Sequence, residues 1–240
     1  MPNFGIITIS HKRPEILRLW CASIKRLRAE CGWFPVMVVG DEDHRSICNE
    51  YDIWHWGRPN YPIEDKWNCA VDVMMCDDNL RGYIMISGSD NIISTNLLMN
   101  MKSIMGEGYD MIGIKKIWFY CAEGLYKGRS RGIEQTYPMG VCKAIHRRVI
   151  GQAGTLWTGT KGWGMDADCQ KNIAPYVKTT TIADGIVFDI KTSESLNKYT
   201  IVQKKATNEK SWPFPVESNL IWDIMGEEEK QILKDYESKK

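Results

Sequence analysis

Phe4-Gly5-Ile6-Ile7-Thr8-Ile9-Ser10-His11-Lys12-Arg13-Pro14 sets the fold of this chain. Residues 4–10 are a short apolar run rich in β-formers, which predicts a buried strand. The run stops at the polar group His11-Lys12-Arg13, and Pro14 then supplies a φ suited to a first helical turn. From there to residue 30 the apolar positions recur at helical spacing. The same order returns in Pro35-Val36-Met37-Val38-Val39-Gly40, the acidic loop Asp41-Glu42-Asp43, and a helical stretch over 45–51. Two strand-then-helix units in succession predict a parallel sheet covered by helices, a three-layer α/β/α arrangement of Rossmann type.

Further along, Trp67, Ala70, Val71, Met74 and Met75 form a three-and-four stripe on a helix over 66–76. A buried strand is expected over 83–87. It ends in Gly88-Ser89-Asp90-Asn91, with the next helix starting near Ser94, or with Thr95 or Asn96 as its cap. Open α/β sheets bind ligands beyond the carboxyl ends of their strands, so the loops after the three strands are expected to meet at one crevice. The second half reads differently. Residues 110–120 suggest one or two strands, 123–135 a loop rich in Gly and charge, and 139–148 a mixture of apolar and basic residues. The expected organisation is one domain over 1–203, with a ligand-binding half over about 1–100 and an acceptor half over about 101–203. A polar extension over 204–240 would end in a charged helix or a frayed tail.

Composition narrows the function. The chain has 240 residues, 43% of them hydrophobic, enough for a substantial core. Lys plus Arg number 31 against 30 Asp plus Glu, a net charge of +1, so no general attraction to nucleic acid or anionic membranes is expected. No stretch has the apolar length of a membrane span and the start does not read as a signal peptide, so a cytoplasmic protein is expected. The eight cysteines lack zinc spacing and are read as reduced thiols, several of them buried.

Five stretches carry candidate chemistry. Ser10, His11 and Arg13 follow the first strand, where backbone donors and cations suit a diphosphate or a base edge, although a plain solvated turn fits equally. Asp41 follows the second strand and is placed to accept from a base N–H or ribose hydroxyls, or simply to cap the next helix. Lys66 and Asn68 open a helix, and a helix start with an added Lys suits phosphate oxygens. Ser89 and Asp90 end the central strand, where one carboxylate suffices to hold Mg²⁺ or Mn²⁺ against a pyrophosphate; the alternative is a cap for the next helix. Trp157, Trp163 and Gly164, with Asp166 and Asp168, form a Gly-rich loop in which aromatic planes stand beside carboxylates. That combination suits a sugar face and a base for an attacking hydroxyl, or else a turn with core Trp and Asp166 as an N-cap.

Taken in order, these stretches resemble the GT-A nucleotide-sugar glycosyltransferases, particularly the large inverting family and its small phage-encoded or bacterial members. Residues 7–17 look like that family's opening strand and Arg-Pro loop, and Val38-Val39-Gly40-Asp41-Glu42-Asp43 looks like its second strand and base-binding acid. Lys66-Trp67-Asn68 is similar to its Lys-x-Asn helix start. Asp90 falls where the family has an Asp-x-Asp metal motif, with Ser89 and Asn91 departing from it. Gly162-Trp163-Gly164-Met165-Asp166-Ala167-Asp168 looks like the loop whose acid serves as acceptor base.

The resemblance implies a transferase that takes a sugar from a nucleotide-sugar, UDP before GDP, with metal assistance at Asp90 and inversion at the anomeric carbon. Asp166 takes the base role and Asp168 a lesser one. The acceptor it leaves open is a glycan or a modified DNA base. A nucleotidyltransferase is a rival reading but lacks a Gly-rich phosphate loop over 9–14, and a silent nucleotide-sugar-binding module is the rival outside enzymes.

Overall fold

The computed structural model describes residues 4–124, 126–159, 164–195, 216–217 and 219–240. The elements run β1 (Phe4–Ile9), α1 (Pro14–Cys31), β2 (Val36–Gly40), a 3-10 turn (Glu42–His44), α2 (Arg45–Glu50), β3 (Trp54–Gly57), α3 (Ile63–Met75), β4 (Tyr83–Ile86), β5 (Asn91–Ile93) and α4 (Thr95–Met105). They continue with β6 (Met111–Gly113), β7 (Lys116–Cys121), β8 (Arg129–Glu134), β9 (Lys143–His146), α5 (Arg147–Ala153), α6 (Met165–Ile173), β10 (Thr180–Ile182), β11 (Val187–Lys191), β12 (Val216–Glu217), α7 (Leu220–Ile224) and α8 (Glu227–Ser238).

The main sheet has the order β10-β6-β9-β4-β1-β2-β3. β4, β1, β2 and β3 run parallel, as do β10 and β6, while β9 is antiparallel to both of its neighbours. Alternation along each strand divides the core by face. Ile6, Val36, Val38 and Met85 pack with Leu17, Trp20 and Ile24 of α1 and Leu97 and Met101 of α4. Ile7, Met37, Val39 and Ile84 pack instead with Ala70, Val71 and Met74 of α3, Val149 of α5 and Ile173 of α6. The three-layer, mostly parallel α/β/α architecture expected from the first two units is present.

A second sheet, β12-β8-β7-β11-β5, forms a third core with α7, α8 and the outer side of α1 through Ile16, Leu19, Phe188, Ile190, Ile221 and Leu233. Two expectations are corrected here, the loop over 123–135 and the start of the helix over 66–76. The expected loop over 123–135 contains β8, which pairs with β7 over five positions despite Gly132 and its charges. β9, from the second half of the chain, lies between β4 and β6 of the main sheet. Of the two readings of the C-terminal stretch, the charged helix is the one present: Glu227–Ser238 is helical and fixed to α1 by Lys25–Glu228 at 2.7 Å and Arg26–Glu229 at 2.7 Å. The helix over 66–76 begins three residues earlier, at Ile63. The polar stretch after residue 203, with its proposed boundary, lies outside the described residues.

All eight cysteines are free, and all but Cys76 are buried. No described helix is long and apolar enough to cross a membrane.

Candidate active site

The chain runs from β1 outward to β2 and β3, then returns to the other side of β1 to form β4, so the sheet changes direction between β1 and β4. At such a switch point the two departing loops separate and leave a crevice. Here a cavity of about 680 Å³ opens between them. Its walls come from Ser10 to Arg13 after β1, Gly88 to Asp90 after β4, the start of α3, Met165 at the start of α6, and Asp189 and Lys191 of β11.

The β1 loop is bent tightly. Lys12 and Arg13 are consecutive non-glycine residues with φ of 53° and 51°, a left-handed conformation that costs of order 1–3 kcal/mol each and concentrates at functional sites. The loop is held by the Asp41 carboxylate, which accepts from Lys12 N at 2.9 Å and pairs with His11 Nδ1 at 2.8 Å. Burial works against the charge on Asp41, but these bonds and Lys66 outweigh it and keep the carboxyl below its usual range. Asp41 therefore sits behind the loop, supporting it, and neither caps a helix with its side chain nor lines the cavity.

Lys66 and Asn68 are likewise turned inward. Lys66 is 1% exposed, with its ammonium donating to Ser10 O at 2.6 Å and Asn60 Oδ1 at 3.3 Å and lying 3.6 Å from Asp41. Burial lowers its pKa. It ties the β1 and β2 loops to α3 and is no longer a free cation at a helix start. Asn68 clamps the backbone of Trp157 from both sides, donating to its carbonyl at 2.8 Å and accepting from its N–H at 3.2 Å.

The β4 loop holds the acid expected there. Asp90 accepts from Arg13 Nη1 at 3.1 Å, and the same guanidinium nitrogen donates to Ser195 Oγ at 3.1 Å. Neither Asp90 nor Asn91 caps the next helix, because β5 intervenes and Ser94 caps α4 by accepting from Leu97 N. Asp90 is not alone. Asp189 lies beside it, ion-paired with Lys191 at 2.8 Å, and burial together with the Asp90 charge raises its pKa. Sequence reading passed over Asp189 and Lys191 because 187–191 is apolar enough to read as a plain core strand. The available signal was an acid and a base two positions apart, hence on one face, in a strand with no polar environment of its own.

The Trp-rich loop is only partly described, and Trp163 lies outside the described residues. Trp157 is corrected from an open sugar platform: it is 4% exposed and stacks on Trp67 at 5.5 Å inside the second core. Asp168 folds back to accept from Thr158 N at 2.6 Å and Gly159 N at 2.8 Å, and these bonds lower its pKa. Asp166 is exposed in the first turn of α6, where the cap is Gly164 in a left-handed conformation; Asp166 is therefore no N-cap. A Cβ on Gly140 would collide with its carboxylate, so glycine there leaves the acid its room.

By sequence, the chain matches no family model and no curated protein. By structure it is similar to S. aureus TarS. The TarS 1–349 structure aligns with a TM-score of 0.59 at 13% identity, over 78% of this chain and 60% of that one. Full TarS gives 0.58 at 12% over 79% and 37%, and TarS 1–349 in complex with UDP-GlcNAc gives 0.53 at 13% over 80% and 60%. This chain thus spans about 60% of the shorter TarS chain and well under half of the full one. The likeness is one of fold.

The chain has the GT-A fold. Within the GT-A fold, the switch-point crevice brings together the loops after β1 and β4, the start of α3 and Met165, whereas the loop after β2, expected to join them, stands behind the β1 loop. A second cluster lies nearby: Asp41, Asp43 and His44 each offer a ligand atom within 4.8 Å of the others. Two features oppose a cation there, since Asp41 already faces the Lys66 ammonium and His44 Nδ1 is bonded to Ser10 Oγ at 2.8 Å.

Proposed function

We propose that this protein is a glycosyltransferase that takes a sugar from a nucleoside diphosphate sugar, UDP-linked before GDP-linked, and passes it to an acceptor hydroxyl. The observation that carries the reading is the charged crevice at the β1/β4 switch point of a GT-A fold, lined by Arg13 and Lys191, each paired with an acid, as groups suited to a diphosphate. The complex of TarS with UDP-GlcNAc supports a donor of this chemistry.

The chain's own groups divide the task. Ser10, His11 and Arg13, backed by Asp41 and Lys66, form the donor loop. Asp166, on the α6 turn whose neighbour Met165 lines the cavity, removes the proton from the acceptor hydroxyl. The hydroxyl oxygen bonds to the anomeric carbon as the bond to the diphosphate oxygen breaks, and direct displacement inverts that carbon. Arg13 and Lys191 stabilise the charge developing on the leaving diphosphate. A divalent cation, Mg²⁺ or Mn²⁺, held at Asp90 would supply further charge neutralisation there. A glycan is the favoured acceptor and a modified DNA base the second.

Calorimetry with UDP and GDP, each with and without Mn²⁺, tests the donor assignment. Saturable heat is expected, larger in affinity for UDP and strengthened by the metal. No heat with any nucleoside diphosphate under either condition removes the donor reading.

A further inference from the structure

The two acids at the mouth of the crevice are joined across a strand pair. Asp189 in β11 is the register partner of Asn91 in β5, and Ile190 N donates to Asp90 O at 2.8 Å. Each carboxylate has one oxygen held by a cation: Asp90 Oδ2 by Arg13, and Asp189 Oδ2 by Lys191. The other oxygens are nearly idle. Asp90 Oδ1 has only a 3.5 Å contact from Asn91 Nδ2, and Asp189 Oδ1, fully buried, has no hydrogen-bond partner among the described residues. An orphaned carboxylate oxygen against a second carboxylate is costly, because each buried lone pair gives up water without replacement. Hard cations are bound by oxygen sets of this kind, completed by water and phosphate. The residues present therefore fit the divalent ion that the fold family implies.

We propose that Asp189 is the second carboxylate ligand of the cation anchored by Asp90, and that binding of this cation transfers Arg13 and Lys191 from the two acids to the donor's diphosphate. The inference rests on the donor reading above for its second clause only. Charge explains the exchange. Before ligands arrive, two acids and two bases neutralise one another, so neither base is free for a phosphate. A divalent cation satisfies both acids and releases two positive charges, which match the two negative charges of a nucleoside diphosphate sugar. Metal and nucleotide then bind with positive coupling, each strengthening the other by the same factor.

Mn²⁺ titration of the full chain, followed by electron paramagnetic resonance, provides a readout independent of activity. Wild type, Asp189→Asn, Asp189→Ala, Lys191→Met and Asp43→Asn are compared with and without UDP, with melting curves confirming the fold. Both Asp189 variants are expected to bind Mn²⁺ at least about tenfold more weakly, the range seen when a metal's ligand environment is damaged. Lys191→Met should keep or tighten Mn²⁺ and weaken UDP. Asp43→Asn should match wild type, since the acidic cluster after β2 is a different place. Undiminished Mn²⁺ affinity in the Asp189 variants overturns the assignment, as does a loss confined to Asp43→Asn. UDP binding with no Mn²⁺ bound in any condition also overturns it and leaves the donor reading standing. Mn²⁺ binding that depends on Asp189, with no UDP binding, upholds the ligand assignment and removes the donor reading.

Discussion

Asp166→Asn is expected to reduce transfer about 10²–10⁴-fold per folded molecule, the usual contribution of a positioned general base, while leaving UDP binding nearly intact. The two effects separate because the groups are on different elements. Asp166 stands on the first turn of α6, whereas the donor-facing charges come from the β1, β4 and β11 ends. A structural role makes a different forecast. Gly164 already occupies the cap, so the carboxylate would contribute only through the helix dipole, at about 0.3–1 kcal/mol. The experiment pairs UDP release from UDP-sugars, with water or added acceptors, with melting temperature on one preparation. Normal turnover with a slightly lower melting point would remove Asp166 from the chemistry. Asp168→Asn should do less to turnover, since its oxygens are bound to Thr158 and Gly159.

The second large effect is on stability. Asp110 joins the far edge of the main sheet: its carboxylate accepts from Arg148 Nε at 2.9 Å, Lys178 N at 2.8 Å, and Thr179 N at 2.9 Å and Oγ1 at 3.1 Å. Burial alone would raise its pKa, but these donors outweigh burial and take it down to about 2. A depression of that size contributes on the order of 2 kcal/mol of stability at neutral pH. Because the folded pKa lies below the unfolded one, this contribution is complete above about pH 4 and is lost as pH falls toward about 2. Asp110→Ala is therefore expected to melt well below wild type at pH 7, with the gap narrowing in acid. Thermal melts at pH 7, 5, 4 and 3 decide the matter, and a gap that stays constant with pH would mean that the charge contributes nothing.

Much of this architecture is legible in the chain because its first strands are almost wholly apolar. β1, β2 and β4 are each buried on both faces, so every position carries a hydrophobic or small residue, and each is followed at once by polar loop residues. β5, β6 and β10 have three residues each, too few for any periodicity to declare itself. β8 carries two arginines and a glycine and is a strand through its pairing with β7 and β12. The same reasoning explains the site. Asp90 was legible because it ends a strand, while Asp189 lies within one, where its meaning depends on pairing with a segment almost a hundred residues earlier. Lys66 and Asn68 were expected to face phosphate oxygens, whereas here they meet the backbone of Ser10 and Trp157 and, for Lys66, the side chains of Asn60 and Asp41, which no spacing rule discloses.

The contact between α1 and α8 bears on how the chain is made. Arg26 and Glu229 are 203 positions apart, and Leu233 and Tyr236 complete the core that Ile16 and Leu19 begin. On a ribosome, α1 emerges before α8, and that face stays uncovered until residues 227–238 have been synthesised. Contacts of such separation slow folding, and an apolar face left open during synthesis is where nascent chains associate wrongly. Glu123, bonded to both Tyr236 and Ser193 N, links this late closure to the rim of the crevice. A nascent chain thus completes the rim of the crevice only after residues 227–238 have been made.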